Sequence, residues 1–495
     1  LGRSSKAYAK DPKAGGALNY KIKPWAHQLT AIERAKDLRD FAFFCEPGTG
    51  KSCMLINTLR HKFNVEKMIL KTLILCPPVV ISNWANEWKM HSSLDSKLIV
   101  QLTGSQVQRL KTFQSSNPRS VFISNYEITT MQDLFEEIKD WGPEVIVADE
   151  SHRIKNYASQ RAKRCIELAK DARHRYILTG SPILNSPSDI FSQFKFLDGG
   201  ATLGSNFFAF RARYFRDENC GMPRHKYFPK WVPMDDTPAQ INYLIEPLCA
   251  KAKKSECLDL PPLVKTTIKV PLGPGQKEAY ESMKKEFIAF VNGNACTAML
   301  AIVKALRLQQ IASGYMPTVD QTGESFTARF KGNPRIMALR ELLEEHTPHS
   351  KVIVWASWAE NYKDIRAVFE DMDLPYVELT GETPASKRTA NVDAFNNDPS
   401  IRCLLGHPGS GGIGVNLISS NVAIYYSRTF SLEHAIQSEA RNFRGGSEIH
   451  ESIQHIDLVA EGTIDEFIQT KLAEKVEIGE KILGNLTQEL MKGQI

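Results

Sequence analysis

Short apolar runs alternate with amphipathic stretches over residues 20–200, the rhythm of strands and helices laid against one sheet. "FAFF" (41–44) and "VIVA" (145–148) have the length and composition of buried strands, and "CMLINTL" (53–59) suits a helix packed on that sheet. The rhythm stops after residue 198. Residues 199–236 are rich in aromatics, arginine, glycine and proline and predict an irregular segment. This is either a packed loop or a basic, aromatic face for nucleic acid. "LAIVKALRLQQIASG" (300–314) spaces its leucines and isoleucines as a core-facing helix does. A second alternation starts near Asn333: "SKVIVWASW" (350–358) is a strand, and 375–399 a strand, turn and helix. Residues 401–427 follow as strand, glycine-rich loop, helix and strand. In the tail, Ile464, Phe467, Ile468, Leu472, Val476, Ile482 and Leu483 recur at helical spacing and predict a packed brace. The expected division is a flexible segment at 1–19, α/β domains at 20–200 and 333–462, an insertion at 201–332 and a helical end at 463–495.

Two stretches carry chemistry. In "EPGTGKS" (46–52), Gly48 and Gly50 allow a tight bend that turns successive N–H groups of the loop toward an anion at a helix N-terminus. Pro47 and Thr49 complete the loop, Lys51 reaches the β and γ phosphates, and the Ser52 hydroxyl is a Mg²⁺ ligand. The general phosphate-loop pattern opens with a glycine where this chain has Cys45. Ninety-eight residues after Lys51, Asp149 and Glu150 follow "VIVA". A pair of acids at the carboxyl end of a parallel strand suits Asp149 to Mg²⁺ and Glu150 to polarising the attacking water.

Set between "VIVA" and "RIKN", "DESH" resembles the second motif of superfamily-two helicases of the SWI/SNF type, and the resemblance runs from about residue 20 through nearly the whole chain. It implies two RecA-like α/β domains with parallel sheets, ATP hydrolysis with Mg²⁺, and nucleic acid, foremost double-stranded or branched DNA, as partner. "KIKPWAHQLTAI" resembles the adenine-reading motif, with Gln28 on the base. "TLILCPPVVISNWANEW" and "VFISNYEIT" resemble the segments that touch a nucleic-acid backbone, which implies contacts from Pro77, Asn83, Trp84, Ser124, Asn125 and Tyr126. "LTGSPILN" resembles the motif that couples hydrolysis to movement, with Thr179, Gly180 and Ser181. Residues 244–272 resemble the linker between the two halves. In the second half the resemblance implies backbone contacts from Ser357, Trp358, Thr380, Gly381, Ser410 and Gly411, with Gly412 and Gly414 lining the nucleotide cleft.

"ARNFRGGSE" (440–448) is by itself a charge pair followed by a helix stop. With Gln437 before it, it resembles the superfamily's sixth motif. Gln437, Arg441 and Arg444 stand at i, i+4 and i+7, which lie on one face of a helix. The resemblance implies an arginine finger for the transferring phosphoryl group.

Composition changes this picture little. Apolar residues are 42% and charged residues 24% of 495, with a net charge of +6. Nine cysteines are scattered with no C-x-x-C pair, which argues against a zinc module and for a reducing compartment. No apolar stretch reaches membrane-spanning length. The expectation is an intracellular ATP-driven translocase on duplex DNA. With no recognisable histone-reading module, fork, junction or branch remodelling, or protein displacement, in a phage or prokaryotic setting is favoured over chromatin remodelling. A strand-separating helicase and a nucleic-acid-sensing switch that does not translocate are the rival readings.

Overall fold

A computed structural model describes residues 20–223, 227–257, 259–292, 298–319, 325–409 and 415–483. The chain divides into two compact units, Leu1–Leu258 with Lys475–Ile495, and Asp259–Glu474.

The first unit is built on β1 (Asp40–Cys45), β2 (Thr72–Cys76), β3 (Ile99–Leu102), β4 (Val121–Asn125), β5 (Val145–Asp149) and β6 (His174–Leu178). A small antiparallel hairpin, β7 (Phe215–Asp217) and β8 (Trp231–Pro233), stands apart, and β9 (Cys249–Ala252) returns to the sheet. The sheet order is β3-β4-β2-β5-β6-β1-β9, every pair parallel. Helices cover both faces, so β2, β4 and β5 are buried at every position and read as apolar runs with polar residues at their ends. In-register rows join Phe43 to Leu178 and Leu178 to Asp149, which brings the carboxyl ends of β1, β6 and β5 side by side.

The second unit carries β10 (Leu263–Val270), the hairpin β11 (Tyr315–Val319) and β12 (Ser325–Arg329), then β13 (Val352–Trp355), β14 (Tyr376–Leu379), β15 (Cys403–Gly406), β16 (Val422–Tyr425) and β17 (Ile453–Ala460). Its sheet runs β10-β17-β16-β13-β15-β14, again all parallel. Strand alternation splits its core. Val352 and Val354 pack on one face with Leu339, Ile365 and Phe369, while Ile353 and Trp355 pack on the other with Phe395 and Leu417.

Two sequence expectations change here. The linker-like segment gives a strand to each sheet, β9 beside β1 and β10 beside β17. The described part of the aromatic segment after residue 198 is ordered: helices Phe207–Tyr214 and Thr237–Ile245 flank the hairpin. Phe210, Tyr214 and Phe215 are buried in the first unit's core, and Phe207 stacks on Tyr157 with centroids 3.8 Å apart. Arg211 lies 4.1 Å over the Trp231 ring. Aromatic burial, not a regular strand–helix alternation, organises this segment. The helix Ala298–Ala312 buries Leu308, Ile311 and Ala312 but leaves Val303 and Leu306 exposed. Early residues of the terminal helix Ile464–Leu483 are docked on the second unit: Ile468 is buried and the Ile464 N–H donates to the Tyr280 hydroxyl at 2.7 Å.

Candidate active site

The phosphate loop leaves β1 and enters the helix Lys51–Glu66. Gly48 and Gly50 take φ of 92° and 86°, the left-handed conformation that such a bend demands. The Lys51 ammonium donates to the Cys45 carbonyl at 2.9 Å, and the Thr49 hydroxyl to the Glu46 carbonyl at 2.8 Å. Gln28 lies under the loop. Its amide nitrogen donates to the Thr49 carbonyl at 3.1 Å and its oxygen accepts from the Trp25 N–H at 2.9 Å. A Cβ on Gly50 would meet that amide nitrogen at 2.2 Å, so the glycine is also the space Gln28 fills. Gln28 is therefore a clamp on the loop in this conformation, with both polar ends engaged.

Asp149 closes β5, and Glu150 follows with φ 50°, a strained conformation for a non-glycine residue. Both carboxylates are buried. Burial and then the neighbouring Glu150 charge raise the Asp149 pKa, against a lowering pull from the Trp84 hydrogen bond and Lys51. Glu150 Oε2 accepts from the Thr179 hydroxyl at 3.1 Å, and His152 Nδ1 is 3.1 Å from the same hydroxyl. Thr179 also accepts from the Ser181 N–H at 3.1 Å. A Cβ on Gly180 would lie 2.7 Å from Pro47 Cδ and 3.3 Å from the Cys45 carbonyl oxygen. The three segments thus form one bonded and packed unit along the ends of β1, β6 and β5. His152 has no assigned part in the sequence reading; its signal was its place two residues after the second acid.

These residues fit a nucleotide-bound Mg²⁺. Among the described residues no group of three or more His, Cys, Asp or Glu side chains is gathered as a metal cage. One or two carboxylates with substrate phosphates is the ordinary way to hold Mg²⁺. The half-buried Ser52 hydroxyl and the buried, proton-favouring Asp149 carboxylate supply such a partial ligand set. Bound there, Mg²⁺ would neutralise phosphate charge.

Several side chains expected on the nucleic-acid face point inward. Trp84 is 2% exposed and its indole nitrogen donates to Asp149 Oδ2 at 2.8 Å. The Tyr126 hydroxyl donates to the Asp149 carbonyl at 2.7 Å, and Ser124 to the Leu102 carbonyl at 3.3 Å. Asn125 accepts from Arg109 at 2.7 Å and donates to Glu127 at 2.9 Å. Pro77 and Thr380 are buried as well, Thr380 against Thr383. All six side chains, which the resemblance places on a nucleic-acid backbone, are buried here, and the polar ones bond within the protein. Asn83 and Gly381 are exposed. Ser357 is half-buried and donates to the Ser427 carbonyl at 3.0 Å, and half-buried Trp358 starts the helix Ala359–Asp371. Ser410, Gly411, Gly412 and Gly414 lie outside the described residues.

In the second unit, the helix Leu432–Glu439 ends before either arginine. Gln437 is on it and donates to Glu433 at 3.2 Å. Arg441 and Arg444 sit in the turns that follow, so the single helical face expected for the three residues is not formed. The arginines converge another way: each guanidinium approaches the Val415 carbonyl, at 3.4 and 3.5 Å. Nor do the glycines stop the helix. Gly446, at φ 101°, precedes a short 3₁₀ turn at Ser447–Ile449.

Residues 34–313, more than half of the chain, match the SNF2-related domain, and residues 334–446 match the helicase conserved C-terminal domain. The chain belongs to the SNF2-related family. It is an ATPase of that family, with a helicase C-terminal domain. Over 93% of its length this SNF2-family ATPase is 26% identical to protein p41 of Acyrthosiphon pisum secondary endosymbiont phage 1, of which it covers 98%. Over 88% it is 24% identical to the mouse chromodomain-helicase-DNA-binding protein 1-like, of which it covers 47%. A solved Sulfolobus solfataricus SWI2/SNF2 ATPase core in complex with dsDNA is similar over 95% of both chains at 21% identity, with a TM-score of 0.43. The SNF2-family ATPase spans nearly all of the phage protein but only 22–58% of seven larger eukaryotic relatives it matches. No described helix is long and apolar enough to cross a membrane.

Proposed function

We propose that this SNF2-family ATPase is an ATP-driven translocase on double-stranded DNA. The observation that carries the reading is the bonded unit of phosphate loop, acid pair and Thr179–Ser181. Gly180 packs on Pro47 while Thr179 holds Glu150, so a change at the phosphates is felt directly by the segment after β6. A passive ATP-binding module has no need of that linkage. Relatives whose names include DNA-binding or DNA repair and recombination support DNA as the partner. Among DNA tasks, remodelling of forks, junctions or protein–DNA complexes is favoured by the relative whose name includes DNA repair and recombination.

In this reading ATP is the substrate. Lys51 and the loop N–H groups hold its phosphates, Ser52 and Asp149 hold Mg²⁺, and Glu150 takes the proton of the attacking water. Arg441 and Arg444 supply positive charge to the transferring phosphoryl group, worth about 10³–10⁵ in rate for an arginine finger. Lys51→Ala and Glu150→Gln then abolish ATP turnover while DNA binding survives. Turnover measured on duplexes of increasing length rises with length for a translocase and plateaus at the shortest bound duplex for a sensing switch. Triplex displacement without unwinding of tailed duplexes supports translocation; unwinding of tailed duplexes alone overturns it in favour of a strand-separating helicase.

A further inference from the structure

The turn that carries the two arginines is held at two points, one buried and one half-buried, both on one face of β17. His455 and Asp457 are two residues apart on that strand, so their side chains leave it on the same side. His455 Nε2 lies 2.9 Å from Asn442 Oδ1, and both residues are fully buried. Asp457 pairs with Arg428 through both carboxylate oxygens, and Arg428 reaches Glu439 Oε1 at 3.2 Å. Lys265 on β10 binds the other oxygen of Glu439 at 2.7 Å. Burial opposes the charge on Glu439, yet Arg428 and Lys265 hold its pKa down to about 2. Tyr425 fills the space between the two contacts, with Arg428 3.6 Å over its ring and the His455 ring 5.7 Å away, edge-on. Glu439 and Asn442 bracket Arg441 in sequence. The Arg441 carbonyl is fixed as well, accepting from the Leu417 N–H at 3.0 Å.

Past the helix end at Glu439 only turn bonds remain, the Arg441 N–H donating to the Ser438 carbonyl at 3.2 Å and the Phe443 N–H to the Glu439 carbonyl at 3.4 Å. We propose that His455 and Asp457 are positioning residues for hydrolysis, setting Arg441 and Arg444 through Asn442 and Glu439. The inference rests on the reading that these arginines serve the phosphoryl group. A buried charge or amide is costly to move, so this clamp defines where the turn can sit.

The test is steady-state ATP turnover of the full chain carrying Asn442→Ala, His455→Phe, His455→Gln, Arg441→Ala, Arg444→Ala or Arg441→Ala with Asn442→Ala. Misplacing a catalytic group costs up to about 10²-fold in rate. Asn442→Ala and His455→Phe are expected to lower kcat by about tenfold to 10²-fold with KM for ATP nearly unchanged. His455→Gln, which keeps a donor, recovers most of the loss. In the double variant the loss is smaller than the product of the two single losses, because Asn442→Ala acts in part through Arg441. Normal kcat in Asn442→Ala beside a crippled Arg441→Ala overturns the clamp alone, as does a double variant whose loss is the product of the single losses. Normal kcat in both Arg441→Ala and Arg444→Ala overturns the underlying reading of the arginines. Should His455→Phe fail to fold, the Asn442→Ala cycle decides by itself.

Discussion

The Trp84 indole nitrogen donates to Asp149 Oδ2 across 2.8 Å, inside the first unit and directly behind the acid pair. A tryptophan from a segment that resembles a nucleic-acid contact is thus part of the ATPase site. It holds one oxygen of the carboxylate proposed for Mg²⁺ and leaves Oδ1 to the Glu150 N–H at 3.0 Å.

Trp84→Phe keeps the aromatic packing and removes the donor. A hydrogen bond to a charged group is worth about 1.5–3 kcal/mol, so kcat is expected to fall by about tenfold or more. Duplex affinity, measured by fluorescence anisotropy, is expected to stay unchanged. Lost affinity with intact turnover would restore Trp84 to the nucleic-acid face.

Gly180→Ala puts a methyl group 2.7 Å from Pro47 Cδ and 3.3 Å from the Cys45 carbonyl oxygen and Glu46 Cα. Overpacking of this kind costs about 1–3 kcal/mol. The phosphate loop takes the displacement, so KM for ATP rises and nucleotide-induced stabilisation shrinks in a thermal-shift titration. Thr179→Val is close in shape and removes the hydroxyl between Glu150 and His152. Its expected effect falls on kcat, with KM nearly unchanged.

Burial and the adjacent Glu150 raise the Asp149 pKa above the ordinary carboxylate value of 3.8. Between that value and the raised one, the folded protein binds more protons here than the unfolded chain does. This contribution to stability is therefore full below about pH 3.8 and is lost as pH rises through the raised pKa. Relative to wild type, Asp149→Asn should gain stability as pH rises through this window, read as the difference in thermal midpoint. Since a cation needs the ionised carboxylate, stabilisation of wild type by Mg²⁺ with nucleotide should grow over the same window.

Phe210 and Phe208 separate core from surface in the segment after residue 198. Phe210 is 2% exposed and Phe208 60%. Phe210→Ala is expected to destabilise the first unit by about 3–5 kcal/mol, measured by urea denaturation. Phe208→Ala should leave stability within about 0.5 kcal/mol of wild type. Equal effects would contradict the packing of this helix.

Much of the site was legible because its chemistry is local. A phosphate loop needs glycines at positive φ within one short turn, and Gly48 and Gly50 occupy those positions. An acid pair after an all-apolar run reads directly as the end of a buried parallel strand, and Asp149 is the last residue of β5. The two α/β rhythms are legible for the same reason, since strands buried on both faces announce themselves as apolar runs. The direction in which a polar side chain leaves a strand end is not local. Nothing in "SNW" or "SNY" says that Trp84 and Tyr126 turn toward Asp149 rather than toward solvent; that depends on β2, β4 and β5 being neighbours in the sheet.

By itself the sequence determined the fold class, the family and the residue types around the phosphates, because each depends on spacing within a few residues. Only the tertiary structure decided how distant groups meet. Gln28 clamps the Thr49 carbonyl, Gly180 seats on Pro47, and Arg441 and Arg444 converge on Val415 after their helix has ended. The helix stops at Glu439 while the next residues are drawn to β17, where the buried Asn442 meets His455. A helical spacing in sequence is a periodicity the chain is free to abandon once buried polar partners elsewhere satisfy its groups better.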